Sequence, residues 1–297
     1  MEKYIATTGF FDGVHRGHVT VLNRLKETGM AFNLPVCAVT FWPHPRTVLN
    51  NEPEKLKLLS TVDEKKQRIE ALGIDRIIVI PFTEELSEMS PQQFIADELV
   101  RKYNIAGLCV GYDHHIGKNR AGGFDTVKKT CDGLGLYCEQ VQPLITDGRV
   151  ISSQKIRQCL TDGNIEEANS MLGYSYTLTG TVVHGKKLGR TIGFPTANIE
   201  LKSLKLIPHD GVYAVRIDLT DKQNLKGMLY IGKKSGMDNS GKTFIEVHIF
   251  DFSGDIYSRE ISVRFEHFVR KDMTFNSVEE MKTHLIKDRY DIRKLLD

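Results

Sequence analysis

Two histidines three positions apart, His15 and His18, lie in the segment TTGFFDGVHRGHVTVL, residues 7–22. A strand-like stretch ends before them in glycine and aromatic residues, and a helix-like stretch begins at about Gly17. The free N–H groups and the dipole of a helix start favour a bound anion, and Gly13 and Gly17 allow it to approach closely. Both imidazoles could then donate hydrogen bonds to phosphate oxygens that gain charge during transfer. The alternative is an ordinary strand-to-helix turn with two exposed histidines.

A second candidate site lies in GKKLGRTIGFPTAN, residues 185–198. Thr196 and Asn198 are oxygen donors two positions apart, so on an extended segment they point the same way, as Mg²⁺ shared with phosphate oxygens would require. Glycine and basic residues of the segment are candidates for binding phosphate groups: Gly185, Lys187 and Arg190. The alternative is a basic turn followed by a polar strand.

A carboxylate, Glu246, lies in the apolar segment FIEVHIF and shares a face with His248. In that setting it could act as a general base that accepts a hydroxyl proton. It could equally mark the solvent face of an edge strand.

The elements that must position these residues differ between the two halves of the chain. In the first half, strand-like and helix-like segments alternate, and helix starts carry capping boxes at Thr61 with Glu64 and at Ser90 with Gln93. This alternation predicts an α/β domain with a mainly parallel sheet and flanking helices. Ligands of such sheets bind at the carboxyl ends of the strands.

In the second half, the pattern of polar and apolar residues changes from Tyr176 onward. Several segments alternate polar and apolar residues, which predicts a small antiparallel β-barrel or sandwich. Ser277 and Glu280 predict a capping box for a C-terminal amphipathic helix. We therefore expect two domains, residues 1–173 and 174–297.

Composition excludes several classes of protein. The formal net charge of +2 provides no general attraction to nucleic acid or to an anionic membrane, so phosphate binding must be local. No segment reaches the roughly 20 apolar residues of a membrane span. The five cysteines form no Cys-x-x-Cys pair, which argues against a disulfide framework and a zinc knuckle. We expect a cytoplasmic protein that acts on small molecules, with no nucleic-acid or membrane partner; its oligomeric state stays open.

The segment GFFDGVHRGH, residues 9–18, resembles the signature of the His-x-Gly-His nucleotidyltransferases, and RVISSQKIR, residues 149–157, resembles the serine-arginine segment that this superfamily uses for ATP phosphates. Together with TFWPHP and GRTIGFPTAN, they make the chain similar over its full length to the bacterial bifunctional riboflavin kinase/FMN adenylyltransferase (FAD synthetase) family. The resemblance implies a Rossmann-like nucleotidyltransferase domain followed by a riboflavin-kinase-like barrel. It implies ATP, FMN and riboflavin as substrates and Mg²⁺ as cofactor.

The resemblance also implies residue roles. His15, His18 and Glu246 would be catalytic, and Thr196 and Asn198 would bind the metal. Besides the basic segment of the barrel, the implied ATP and phosphate contacts are Gly9, Phe10, Asp12, Gly13, Gly17, Ser152, Ser153 and Arg157. The implied flavin contacts are Phe41, Trp42, Pro43, Pro45, Gly111 and Asp113. Phe41 and Trp42 could instead be core aromatics at the end of a strand.

Two segments depart from the family pattern. GYDHHIG, residues 111–117, lacks the two aromatic residues that the family commonly has there, and the roles of His114 and His115 stay open. YIGKKSGMDN, residues 230–239, lacks the family's Arg-Pro-Thr turn. The alternatives are therefore a monofunctional FAD synthetase with an inactive barrel and a non-catalytic flavin or nucleotide sensor. A nucleotidyltransferase for another acceptor would share the first motif but not the barrel segment.

Overall fold

Five parallel strands and the helices that connect them make up the first part of the chain in the computed structural model, which describes residues 2–45, 48, 57–118, 121–146, 148–185, 188–201, 204–233 and 243–297. Contacts divide the chain into two units, Met1–Ser153 and Gln154–Asp297. The domain boundary at 173/174 stays a prediction.

Unit 1 alternates strands and helices in chain order. Its elements are β1 (Tyr4–Thr8), α1 (Arg16–Phe32), β2 (Val36–Trp42), α2 (Val62–Ala71), β3 (Arg76–Pro81), α3 (Glu84–Glu88), α4 (Pro91–Gln93, continuing as a π-helix over Phe94–Lys102), β4 (Ile105–Gly111), α5 (Phe124–Gly133), β5 (Tyr137–Val141) and a hairpin of β6 (Ile145–Thr146) and β7 (Arg149–Val150). The sheet order is β3-β2-β1-β4-β5, with every pair parallel. The predicted α/β domain is confirmed.

Both faces of this sheet are buried because β1 and its neighbours are apolar on both sides. Ile5 of β1 packs with Leu22 and Leu25 of α1 on one face. Ala6, the next residue, packs with Ile95 and Leu99 of α4 on the other face. The chain leaves β1 toward β2 on one side and adds β4 on the other, so the crevice expected to bind a ligand lies at the carboxyl ends of β1 and β4.

Local signals set several helix boundaries. The capping boxes at Thr61 and Ser90 each form both reciprocal hydrogen bonds. Helix α1 runs to Phe32, and Asn33 ends it in the left-handed conformation at φ 51°. Gly29 keeps α1 close to the sheet, since a Cβ there would lie 2.3 Å from Val36 Cγ1.

Unit 2 is a closed barrel with helices. After α6 (Ser153–Asp162), which crosses the division between the units, come α7 (Ile165–Leu172), β8 (Thr177–Val183), α8 (Leu188–Thr191), β9 (Ala197–Leu201), β10 (Gly211–Leu219), β11 (Leu225–Lys233), β12 (Thr243–Ile249), β13 (Glu260–Lys271) and α9 (Val278–Leu296). The strand order around the barrel is β10-β11-β12-β9-β8-β13, all antiparallel. The predicted barrel and C-terminal helix are confirmed.

Helix α9 covers part of the barrel. Its Ile292 and Leu296 pack with Val212 of β10, Met228 of β11 and Phe250, which directly follows β12. The predicted capping box at its start is only half formed: the Ser277 hydroxyl accepts the Glu280 N–H, whereas the Glu280 carboxylate binds the N–H of Asn276 instead. No helix among the described residues is long and apolar enough to span a bilayer.

Candidate functional site

The turn between β1 and α1 is held in an unusual backbone conformation. Phe11, Gly13 and Val14 have φ values of 49°, 82° and 38°. The left-handed region is costly for residues other than glycine, most of all for a β-branched one. Phe11 and Val14 are each only 3% exposed and belong to the core that includes Leu22 of α1. Their burial therefore holds the turn in a strained shape, which is common where a backbone must present groups to a ligand.

The structure brings His15 and His18 together at the start of α1. His15 is the N-cap, and its Nδ1 accepts the backbone N–H of His18 at 3.3 Å. A neutral His15 ring therefore carries its proton on Nε2. The two rings stack with their centroids 3.6 Å apart and their planes 18° apart. Their predicted catalytic role stays a prediction.

Positive charge and burial keep His18 neutral. Its pKa lies well below the ordinary 6.5, first because the ring is desolvated and then because His15 and Lys65 contribute positive charge. Its Nδ1 is buried and has no hydrogen-bond partner among the described residues. A lone pair left unmatched costs less than an unmatched N–H, so the proton is favoured on Nε2. In its neutral form each ring can then offer one Nε2–H donor.

Lys65 is a buried cation beneath this turn. It is 4% exposed, and its Nζ donates to Thr40 Oγ1 at 3.2 Å and lies 5.2 Å from the ring centroid of Phe10. Burial lowers the pKa of Lys65 to about 8, against the attraction of the Asp12 carboxylate. Thr40 Oγ1 in turn donates to the carbonyl of Phe10 at 3.3 Å. Lys65 thus supports Phe10, a predicted phosphate contact, through both its ring and its backbone.

The other predicted phosphate contacts of the turn are tied to neighbouring segments. The Asp12 carboxylate accepts the N–H groups of Leu59 and Ser60 at 3.0 and 3.1 Å. The Gly13 N–H donates to the Ser60 hydroxyl at 2.9 Å. These bonds anchor the turn to the segment that precedes α2. A direct phosphate contact by either Asp12 or Gly13 stays a prediction.

The serine segment lies beside the same turn. Ser153 Oγ donates to the Asp12 carbonyl at 3.0 Å. A Cβ on Gly17 would lie 3.2 Å from the His15 ring, which it would crowd, and at an ordinary contact distance of 3.6 Å from the Ile151 carbonyl oxygen. A Cβ on Gly9 would similarly lie 3.0 Å from the ring of Phe11. Ser152 precedes α6, and Arg157 lies on α6 within unit 2.

The predicted flavin contacts of TFWPHP differ in their surroundings. The Phe41 ring is partly buried and lies about 6 Å from the rings of Phe10, Phe82 and Phe94, at 6.0, 6.2 and 6.0 Å. Trp42 is 40% exposed at the carboxyl end of β2. The prolines that follow, Pro43 and Pro45, are respectively exposed and half-buried. Trp42 is therefore the more accessible of the two aromatic residues, whereas Phe41 packs against the core, and the predicted flavin contacts stay a prediction.

In the loop after β4, His114 and Ile116 stand at the two positions where the family commonly has aromatic residues. His114 Nε2 lies 2.6 Å from Thr8 Oγ1, which joins the ends of β4 and β1. Ile116 is 5% exposed and belongs to the core. Gly111 ends β4, and Asp113 is exposed, with its carbonyl bonded to His115 Nδ1 at 2.9 Å. Gly111 and Asp113 therefore lie at the crevice edge of the sheet.

A second cluster forms on the barrel. Thr196 Oγ1 donates to Glu246 Oε2 at 3.1 Å, and Asn198 pairs directly with Glu246 across β9 and β12. A Cβ on Gly185 would lie only 2.1 Å from Asn198 Nδ2. The structure thus brings together Gly185, Thr196, Asn198 and Glu246. Strand β12 is paired on both sides, so Glu246 does not lie on an edge strand.

The remaining barrel predictions are less fully described. Arg190 lies on α8 and is exposed. Lys187 and most of the altered segment 230–239, from residue 234 onward, lie outside the described residues. Hydroxyl, amide and carboxylate oxygens are donors that suit Mg²⁺, which usually takes one or two protein ligands and completes its shell with water and phosphate. The residues present therefore fit that ion.

Sequence reasoning missed three supporting residues. Lys65 stands four positions before buried Ile69, so helical periodicity placed it on the buried face of α2. This periodicity was the feature of the sequence that could have identified Lys65. Ser60 and Thr8 gave none, because their partners Gly13 and His114 are 47 and 106 positions away in the chain.

Comparisons with known families cover both units. The profile of the family described as FAD synthetase matches residues 1–155. The profile of the family described as riboflavin kinase matches residues 172–296. The first match contains the histidine turn, and the second contains the Glu246 cluster.

Individual relatives match along nearly the whole chain. A protein of Listeria monocytogenes named bifunctional riboflavin kinase/FMN adenylyltransferase is 39% identical over 97% of this chain and 91% of its own length. Proteins of the same name from Bacillus subtilis and Escherichia coli K12 are each 34% identical, over 97% and 99% of this chain and 91% and 93% of theirs.

A solved structure also matches. A crystal structure described as a macrolide-efflux protein from Streptococcus pneumoniae superposes with a TM-score of 0.90 at 28% identity, covering 98% of this chain and 94% of that one. The two chains share a fold along their length.

Proposed function

The chain belongs to the family of bifunctional riboflavin kinase/FMN adenylyltransferases, and on that premise we propose that unit 1 transfers AMP from ATP to FMN while the barrel phosphorylates riboflavin. The observation that carries the proposal is the stacked pair of His15 and His18 at the start of α1. The cluster of Glu246 with Thr196 supports the second activity.

In adenylyl transfer, a phosphate oxygen of FMN forms a bond to the α-phosphorus of ATP. The bond from that phosphorus to the oxygen bridging it to the β-phosphate breaks, and pyrophosphate leaves. The Nε2–H groups of His15 and His18 donate to the oxygens that gain charge in the transition state. A neutral His18 suits this task, because a fixed donor needs no proton exchange. The exposed Trp42 face would hold the flavin ring beside the turn.

In riboflavin phosphorylation, the ribityl 5′-hydroxyl oxygen attacks the γ-phosphorus of ATP, and ADP leaves. The hydroxyl proton passes to the Glu246 carboxylate. Mg²⁺ bound to the Thr196 hydroxyl and the Asn198 amide oxygen would neutralise charge on the ATP phosphates. The bond from Thr196 to Glu246 keeps one carboxylate oxygen oriented and leaves the other for the substrate.

The test uses two reciprocal variants of the full chain, supplied with riboflavin or FMN together with ATP and Mg²⁺. We expect His18→Ala to lower the rate of FAD formation from FMN by about a hundredfold to a thousandfold, since one oxyanion donor is lost. FMN formation from riboflavin should stay normal. Glu246→Gln should abolish FMN formation from riboflavin and leave FAD formation from FMN normal. Each variant is therefore the folding control for the other.

The outcomes separate the possible functions. FAD synthesis within a few-fold of normal in His18→Ala would remove the assigned site in unit 1. A wild-type chain that makes FAD only when FMN is supplied would be a monofunctional FAD synthetase. A chain with no turnover on either substrate would be a flavin or nucleotide sensor.

A further inference from the structure

His248 is a buried side chain of the barrel that the reactions above do not use. It lies on β12, two positions after Glu246 and on the same face, and is 7% exposed. Its Nδ1 lies 2.8 Å from the carbonyl oxygen of Pro195. A carbonyl only accepts, so Nδ1 must carry a proton and donate.

The partner of this bond stands next to a proposed metal ligand. Pro195 directly precedes Thr196, and strand β9 begins only at Ala197, so the Pro195 carbonyl lies outside the strand ladder. The proline ring fixes φ but leaves ψ to be set by other contacts. The His248 bond holds the carbonyl and so sets the peptide plane that leads into Thr196.

That peptide plane fixes the backbone from which the Thr196 side chain extends. Thr196 Oγ1 reaches Glu246 Oε2 at 3.1 Å. The chain before Pro195 is held separately: the Phe194 N–H donates to the Gly189 carbonyl at 2.8 Å, and the Phe194 ring is 3% exposed. The ψ rotation of Pro195 is thus the one left open, and the bond from His248 controls it.

The ring of His248 is itself fixed. The rings of Phe194 and Phe250 meet it edge-on, with centroids 5.3 and 5.7 Å away. Burial lowers the pKa of His248, the positive charges of Arg289 and Arg293 act in the same direction, and the bond to Pro195 and the Asp251 charge oppose them. The ring is therefore neutral, with its proton held on Nδ1.

We propose that His248 is a positioning residue of the riboflavin kinase reaction, which aligns Thr196 with Glu246 through the carbonyl of Pro195. This inference rests on the proposed roles of Thr196 and Glu246. A purely structural His248 would serve only to fill the space between two phenylalanines. The two readings differ in whether a donor at the Nδ1 position is needed.

The test compares three substitutions in the full chain. The side-chain amide of Asn places an N–H close to the position of Nδ1, the amide of Gln reaches toward Nε2, and Leu provides no donor. We expect His248→Leu and His248→Gln to lower the kinase kcat by about tenfold to a hundredfold, as small misplacements of reacting groups do. His248→Asn should restore at least about tenfold relative to His248→Gln. FAD synthesis from FMN should stay normal in all three.

Two readouts are independent of turnover. In wild-type protein with ¹⁵N-labelled histidine, NMR should show His248 as the Nδ1–H tautomer. Titration calorimetry with Mg²⁺ and ADP should show weaker binding in His248→Gln than in His248→Asn. Melting temperatures of the Asn and Gln variants identify any variant whose barrel is unfolded.

The results separate a failure of the proposed role of His248 from a failure of the proposed function of the barrel. Equal kinase activity of the Asn and Gln variants, or an Nε2–H tautomer in the wild type, would overturn it. If His248→Leu keeps full kinase activity while Glu246→Gln loses it, only the role of His248 fails. If Glu246→Gln also remains active, or the wild type has no kinase activity, the proposed function of the barrel fails as well.

Discussion

Replacing Lys65 with methionine should make unit 1 more stable at neutral pH, and this advantage should be lost at alkaline pH. Lys65 is 4% exposed, and its pKa falls from 10.5 to about 8 in the folded protein. The folded state therefore binds this proton less tightly than the unfolded state does. The resulting cost is fully present below about pH 8, shrinks as the pH rises toward 10.5, and vanishes above it.

The size of the effect follows from the shift. A difference of about 2.5 units at roughly 1.4 kcal/mol per unit amounts to about 3 kcal/mol at pH 7. At about pH 9.5 the unfolded amine is still largely protonated but the folded one is not, and only about 1 kcal/mol remains. The variant loses the bond to Thr40 and the contact with the Phe10 ring, worth about 1 kcal/mol each. The net gain at pH 7 is therefore smaller than 3 kcal/mol, but the change of about 2 kcal/mol between the two pH values is unaffected.

The assay is urea unfolding followed by tryptophan fluorescence. Trp42 is the chain's single tryptophan and lies on β2, so the signal reports on unit 1. Comparing Lys65→Met with wild type at each pH cancels every other titrating group. Lys66→Met, which replaces a half-buried lysine at the neighbouring position of the same helix, is the matched control. A stability difference that stays constant from pH 7 to 9.5 would refute the reasoning.

Two further predictions concern the barrel. Gly185→Ala should abolish riboflavin phosphorylation but not FAD synthesis from FMN, because the new Cβ would lie 2.1 Å from Asn198 Nδ2; Gly133→Ala, which meets nothing within 4 Å, should leave both product assays unchanged. Asp288→Asn should lower the free energy of unfolding by about 3 to 5 kcal/mol in chemical denaturation of the barrel, since the Asp288 side chain is 5% exposed and the substitution removes the negative charge that faces the Arg270 guanidinium. A loss below about 1 kcal/mol would mean that water already screens this pair.

Local sequence was sufficient for the elements and for the fold class. The capping boxes at Thr61 and Ser90 formed because each needs only residues three positions apart. The pairing of His15 with His18 was equally readable, since both belong to one helix start. Alternating strand and helix patterns predicted the parallel sheet, and the later two-residue alternation predicted the barrel. The reciprocal bond at Ser277 failed because Asn276 offered the Glu280 carboxylate a competing N–H.

Only the tertiary structure determined the contacts between residues that are distant in the chain. Lys65 meets Thr40 and Phe10 because α2 and the ends of β1 and β2 converge, a packing result that no local pattern encodes. The contact of His248 with Pro195 spans 53 positions and exists because β9 pairs with β12 in one register. Residue types therefore determined which chemistry was available, whereas strand pairing and burial determined which groups meet and which of them stay uncharged.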